Sequence, residues 1–412
     1  MLFSDILYLA PDFELKRGSV RVESGKIAEI SVERIVESHG EVINGTNRLL
    51  IPGLVNSHCH VPMTLLRGWG EGLPLDRWLE EKVYPFEAKL TDDDVYRGSL
   101  IGIAEMLASG VTRFYEMYDH CGAICDAVEL AGIRGNITRG LLSFDSSGLK
   151  GSQRLKESEE VFNRKSELVT PEVALHSEYT SNETYVREVA EYAKSRGAKI
   201  QVHVSETLKE HNECVARRGV TPTEYLANCG LFDVPATAAH CVSVTDRDID
   251  ILKAHNVTVA HCPESNLKLN SGIAPVRKLL DAGVSVALGT DGASSNNNQN
   301  LFEEMHVAAL LGQMNSENPL SPAEILKTAV RGNSITVGAD ADLAVINLQK
   351  PHLVPAHDLL ANLVFSAQAS DVEMTIVNGK IVYRDGSVTG FDINDAIEKA
   401  SAAAARLAGE LK

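Results

Sequence analysis

Eight short runs rich in β-branched and aromatic residues recur through the middle of the chain, separated by stretches of helical composition: "LVNSHCH", "VTRFYEMY", "IRGNITRG", "EVALHSEY", "AKIQVHVSE", "ATAAHCV", "VTVAHCP" and "VSVALGTDG". Strands joined through helices such as "ETYVREVAEYAKSRG" and "VRKLLDAG" run parallel, because the helix carries the chain back before the next strand begins. Eight such units close a barrel. At 412 residues the chain has room for a barrel and a smaller second domain. The expected fold class is therefore α/β: a (β/α)8 TIM-type barrel with a small β-sandwich domain.

The two ends of the chain supply that second domain. "GSVRVESGKIAEI" and "EVINGTNRLLIPG" near the start, and "DLAVINL" and "MTIVNGKIVYRDGSV" near the other end, alternate apolar and polar residues around Gly and Asn turns, the pattern of antiparallel strands. The expected division is 1–52 plus 339–390 for the small β domain, 53–338 for the barrel and 391–412 for a C-terminal helix. The helix follows from "DAIEKASAAAARLAGELK" and is expected on the surface.

Polar side chains gather at one end of the eight runs: His58, His60, Glu116, Arg139, His176, His203, Glu206, His240, His261 and Asp291. An isolated His-x-His is more often two ordinary strand histidines, and a single His or Asp ending a strand is more often structural. So many at the C-terminal strand ends point instead to one barrel mouth, where such folds build their active sites. Side chains alternate across a strand, so His58 and His60 share a face and Cys59 points away. A catalytic zinc takes three or four N or O ligands and keeps one position open for water, and His58, His60, His203 and Asp291 meet that need. Such an ion would lower the pKa of its water from about 16 toward about 7, making hydroxide available at neutral pH. His and Asp suit zinc and ferrous iron alike. The fourth run lacks a lysine that could, once carbamylated, bridge two ions, so one divalent ion is expected.

Glu206, three residues beyond His203, is placed to accept the water proton and pass it to a ring nitrogen; its bland alternative is a solvated helix-capping Glu. His240 could orient the water or be a further ligand, and both readings stay open. His261 reads either as a support behind the metal ligands or, as the preferred reading, as a satisfied barrel histidine. The catalytic set is thus Glu206, His240 and Asp291.

Composition excludes other classes. Apolar residues at 44% and charged at 23% describe a soluble globule, and a net charge of −17 argues against nucleic-acid or anionic-membrane partners, which need clustered Lys and Arg. The opening "MLFSDILYLAPDF" has no basic start and breaks at Asp5 and Pro11, so no signal peptide is expected, and no apolar run has the length of a membrane span. Seven cysteines without paired metal spacings fit buried thiols in a cytoplasmic protein. Cys121 and Cys125 sit one helical turn apart, but two thiols make a weak zinc site.

In their order and spacing, "NSHCH", "HVSE", "AAHC" and "GTDG" resemble the amidohydrolase superfamily over nearly the whole chain. "HVPMTLLRGWGEGLPLDRWL", "SNLKLNSGIAPV" and "LGTDGASSNNNQNLFEEM" narrow the resemblance to the methylthioadenosine/S-adenosylhomocysteine deaminase group. The resemblance implies that His58, His60, His203 and Asp291 hold the metal and that Glu206 and His240 activate water. It further implies that Glu87 takes the ribose hydroxyls, His176 contacts the nucleoside, Trp78 lies near the substrate and Arg139 meets the 5′ substituent; Arg154 and Ser295 are further candidates. The implied reaction is hydrolytic deamination of a small-molecule adenine nucleoside with a modified 5′ position (methylthioadenosine, S-adenosylhomocysteine, 5′-deoxyadenosine or adenosine), and a homo-oligomer is compatible with it. Competing readings are a deaminase or hydrolase of another aminated heterocycle (guanine, pterin, triazine) and a noncatalytic scaffold, which the complete ligand set disfavours.

Two departures from the group stand out. Glu178 replaces a proline beside His176, which is expected to add a charge and an N–H near the substrate. After "ILKTAVRGN" the chain passes directly to "SITVGADADLAVINL", about a dozen residues shorter than the pattern.

Overall fold

The computed structural model describes every residue except 34, 36–39, 144–147, 315, 316 and 412. Its first five strands are β1 (Leu2–Leu9), β2 (Leu15–Glu23), β3 (Lys26–Ser31), β4 (Val42–Asn44) and β5 (Arg48–Pro52). The β2–β3 hairpin turns on Ser24 and Gly25, both at positive φ (49° and 77°), the conformation that matches strand twist in a two-residue loop. There follow β6 (Leu54–His60), β7 (Val111–Tyr118), β8 (Arg134–Leu141), β9 (Val169–Pro171), β10 (Val173–Leu175), β11 (Ile200–Val204), β12 (Ala236–His240), β13 (Thr258–His261), β14 (Ser285–Leu288) and β15 (Asp291–Gly292). The last four are β16 (Leu343–Asn347), β17 (Val372–Val377), β18 (Lys380–Arg384) and β19 (Ser387–Val388).

Strands β6 to β15 form one parallel sheet in the order β14-β13-β12-β11-β10-β8-β7-β6-β15, with β9 also on β8. β14 leads through Gly289 and Thr290 into β15, which pairs with the opposite edge of β6, so the sheet curls into a TIM-like barrel. All eight runs read from the sequence carry barrel strands, the fourth interrupted at Glu172 and the eighth at Gly289 and Thr290. At Gly289 the backbone passes so close to β6 that a Cβ would lie 2.8 Å from the main-chain N and O of His58, which only glycine allows.

The remaining strands form a second sheet in the order β19-β18-β17-β16-β5-β1-β2-β3, with β4 on β1. Its hydrogen bonds are continuous, because β5 pairs with β16 on one edge and β1 on the other; the expected pair of facing sheets is not delineated by a break in pairing. Alternation divides its faces: Leu50, Leu343 and Val345 join Phe3, Ile6, Val20 and Ile376 in a small core, whereas Leu49, Ile51 and Ile346 pack into the barrel's main core. The C-terminal helix Ile393–Glu410 lies against the helix Asp92–Ala108, and Arg406 Nη2 donates to Asp94 Oδ2 at 2.5 Å.

The short connection after the helix Pro322–Val330 passes by the barrel. Arg331, at φ 38°, stacks its guanidinium 3.8 Å from the Tyr115 ring centroid and donates to Thr237 Oγ1 at 2.6 Å, while Asn333 Nδ2 donates to Gly53 O at 2.8 Å. Among the described residues no helix is long and apolar enough to cross a membrane.

One buried ion pair joins the two sheets. Asp342 accepts from Arg134 Nε on β8 at 2.7 Å and from the main-chain N–H of Asn378 at 2.8 Å. Removing one partner strands a buried charge. Asp342→Ala should lower the unfolding free energy by about 3 kcal/mol in urea titrations; an unchanged midpoint would show that this pair does not secure the sheets.

Candidate metal and active site

The polar residues at the strand ends do converge. His240 (φ 70°) and Asp291 (φ 60°), together with their neighbours in the site Ser205 (φ 47°) and Cys241 (φ 48°), hold a backbone conformation that side chains rarely adopt. Non-glycine residues at positive φ persist only where their surroundings hold them, and they cluster at functional sites.

Hydrogen-bond logic fixes how the imidazoles face. His60 Nδ1 lies 2.5 Å from Met117 O and His203 Nδ1 lies 2.7 Å from His176 O. A carbonyl only accepts, so each ring carries a proton on Nδ1 and turns Nε2 inward as the nitrogen open to a cation. His58 Nε2 is 3.1 Å from His203 Nε2, and Asp291 Oδ1 is 3.6 Å from His58 Nε2 and 3.2 Å from His60 Nε2. Ligand atoms of His58, His60 and His203, and of His58, His240 and Asp291, lie within 4.8 Å of one another. Inward ring nitrogens beside a carboxylate, buried except at partly exposed His60, fit a divalent cation and are poorly satisfied without one.

The protein's own electrostatics have the same origin. Burial lowers the His58 pKa to about 4; His60 is also buried, but Asp291 and Glu116 outweigh that and raise it to about 9. Burial works against ionised Asp291 too, yet His58 and His60 hold it well below the usual carboxylate range. Ser265 Oγ (2.6 Å) and Ser295 Oγ (2.9 Å) both donate to Asp291 Oδ2, leaving Oδ1 toward the histidines.

Glu206 is 7% exposed, and burial raises its pKa, partly offset by His240. Its Oε2 lies 3.8 Å from His240 Nε2, and His240 Nδ1 contacts Asn266 Oδ1 at 2.9 Å. His240 thus stands within reach of both the ligand cluster and Glu206. Behind Glu206, buried Glu210 accepts the main-chain N–H groups of Ser205 (3.0 Å) and Glu206 (2.7 Å), pinning the turn; burial raises its own pKa to about 8.

A cavity of about 170 Å³ opens onto this cluster. His60, Trp78, Glu87, Arg154, His176, His203, Glu206, His240 and Asp291 line it, with His58 directly behind. Glu87 is raised by burial, which Tyr118 and His60 oppose, and burial depresses His176 to about 3. Two of the expected substrate-binding residues do not line the cavity. Ser295 reaches Asp291, and Arg139, 6% exposed, is held by Asp119 and by Glu157 Oε2 (2.6 Å). His261 is buried and lies outside the cavity lining.

Glu178 corrects the expectation of a charge at the substrate. Its fully buried carboxylate turns away to pair with Arg217 and with Arg218 Nε at 3.0 Å, and the Arg218 guanidinium also stacks 3.8 Å from Tyr225. Wall residues that sequence reasoning passed over include Leu75, Leu79, Asp119, Leu142 and Tyr179. Their signal was faint: each falls within, or one or two residues beyond, a motif singled out for another residue.

Comparison with known proteins gives the family and the fold. Residues 49–382 match the model of the amidohydrolase family. The chain is 39% identical over 410 residues, 96% of each chain, to the 5'-deoxyadenosine deaminase of Methanothermobacter thermautotrophicus. It is 41% identical over 406 residues, 94% of each, to the 5-methylthioadenosine/S-adenosylhomocysteine deaminase of Caldanaerobacter subterraneus. Among solved structures, an adenosine deaminase from Xanthomonas campestris with bound zinc superposes with a TM-score of 0.92 at 28% identity, covering 99% of this chain and 98% of that one. With inward-facing ligands at the barrel mouth and a family match across the barrel and into the second sheet, the chain belongs to the amidohydrolase family.

Proposed function

We propose that this amidohydrolase deaminates adenine nucleosides with a modified 5′ position, such as 5′-deoxyadenosine, methylthioadenosine, S-adenosylhomocysteine or adenosine, releasing ammonia and the inosine analogue. The observation that carries this reading is the meeting of a buried Glu206, its pKa raised by burial, with the His/Asp cluster in one cavity whose wall also presents Glu87. His58, His60, His203 and Asp291 would hold a single divalent ion, zinc or ferrous iron. Bound there, the ion supplies Lewis acidity that lowers the pKa of water.

The chain's own residues do the rest. Glu206 takes the proton of the attacking water and delivers it to N1 of the purine, while His240, its Nδ1 fixed by Asn266, orients that water toward C6. Asp291 assists proton transfer through Oδ1, since Oδ2 accepts from two serines. C6 becomes tetrahedral, the remaining proton of the added water passes by way of Asp291 to the amino nitrogen, and the C6–N bond breaks to release ammonia. Glu87 accepts from the ribose diol, a role suited to a carboxylate with no donor of its own, and Trp78 and His176 flank the nucleoside. Supporting this substrate class are the curated relatives at about two-fifths identity, which bear the names of nucleoside deaminases. The same reading divides the chain into a barrel over 53–338, a small β-sandwich from 1–52 and 339–390, and the helix of 391–412, which the two separate sheets support; a cytoplasmic enzyme and a homo-oligomer fit it.

Glu206→Gln should cut kcat by about a thousandfold while metal content, measured by mass spectrometry, stays unchanged. Because ionised Glu206 acts as the base, wild-type kcat/KM should fall as pH drops through its raised pKa; substantial activity in the variant would contradict the assignment. Glu87→Gln should raise KM for nucleosides by about tenfold or more with a smaller change in kcat, and leave any slow turnover of free adenine untouched. Equal losses on nucleoside and free base would remove the ribose role and favour the other aminated heterocycles.

A further inference from the structure

If the adenine ring lies at Glu206 and the ribose at Glu87, as proposed above, then the part of the cavity lined by Asp119, Gly140, Leu142 and Arg154 receives the 5′ substituent. This wall is built from three elements: Asp119 directly after β7, Arg139 on β8, and Arg154 and Glu157 on the helix Gln153–Asn163. Two arginines side by side form an anion site when nothing else answers them. Here they are answered. Arg139 is clasped by Asp119 and Glu157, and Arg154 Nη1 donates to Gly140 O at 3.1 Å and lies 3.4 Å from Asp119 Oδ1. Among the described residues the cluster holds two guanidiniums and two carboxylates, with no net charge, and Glu87 adds a negative charge felt by Arg154.

We propose that Asp119 sets the charge selectivity of this pocket: by compensating Arg139 and Arg154 it admits adenine nucleosides whose 5′ substituent carries no net charge and turns away those with a net negative one, such as a 5′-phosphate. A phosphate entering here would meet the Asp119 carboxylate, whose side chain is 45% exposed, and would either confront a like charge or displace it from its arginines. The selectivity is repulsive, so it resides in one removable charge. Asp119→Asn leaves the cluster with an excess positive charge; Arg154→Gln leaves it with an excess negative one.

The test uses the zinc-loaded full chain and measures ammonia release from 5′-deoxyadenosine, adenosine 5′-monophosphate and 5′-amino-5′-deoxyadenosine. Wild type should strongly prefer 5′-deoxyadenosine to the phosphate. Asp119→Asn should shrink that kcat/KM ratio by about tenfold or more. Arg154→Gln should shift the ratio the other way and gain on the cationic 5′-amine relative to 5′-deoxyadenosine. Comparing substrates within one variant cancels general losses of folding or alignment. Ratios unmoved in both variants, or a wild type that accepts the phosphate as readily as 5′-deoxyadenosine, would overturn the role of Asp119 and leave the deaminase assignment standing; a wild type that releases ammonia from no neutral nucleoside would overturn that assignment, and this inference with it.

Discussion

Three imidazole nitrogens and a carboxylate oxygen face one another at the barrel mouth, the rings of His60 and His203 with their Nδ1 hydrogens turned outward, and the rest of the site is arranged to keep them so. The rings crowd closely: the His58 centroid lies 4.8 Å from that of His203 and 4.9 Å from that of His60. Outward N–H groups are committed to the carbonyls of Met117 and His176, which belong to neighbouring strands or their ends, so the barrel's own pairing register sets the tautomers. Such a cluster is unfavourable in a buried setting unless a cation joins it.

The supports extend outward in layers of ordinary chemistry. Two serine hydroxyls orient Asp291, an asparagine orients His240, and Glu210 holds the turn under Glu206 through main-chain N–H groups. Left-handed backbone at His240 and Asp291 goes with side chains that line the cavity, and at Ser205 it turns the chain just ahead of Glu206. The Glu178 ion pair with Arg217 and Arg218 ties the segment bearing His176 and Tyr179 to the far end of the helix Leu208–Arg218, which begins just after Glu206. Substrate wall and proton carrier thereby share one strut.

Much of this was legible in the sequence because it depends on local pattern. The eight runs alternate with helical periods, and barrel geometry then places whatever polar residue ends each run at a common mouth, which is how His58, His60, His203, His240 and Asp291 come together. What depended on distant partners was not legible. The continuity of the second sheet rests on β5 joining β16, nearly three hundred residues later in the chain. Glu178 reads as a charge beside the substrate until Arg217 and Arg218, on another element, draw it away. Arg139 reads as a free guanidinium until Asp119 and Glu157 claim it, and Ser295 until it is found on Asp291. No spacing rule reports which way a long side chain turns when several partners are within reach.

The central claim is that these inward-facing nitrogen and oxygen atoms bind one divalent ion. X-ray absorption at the zinc edge, with metal content measured on the same zinc-loaded sample, tests it most directly. The account predicts one ion per chain, surrounded by nitrogen and oxygen at about 2.0–2.2 Å with no sulfur contribution, and loss of that ion in His203→Ala. A sulfur shell at about 2.3 Å, or a full complement of zinc retained in His203→Ala, would contradict it.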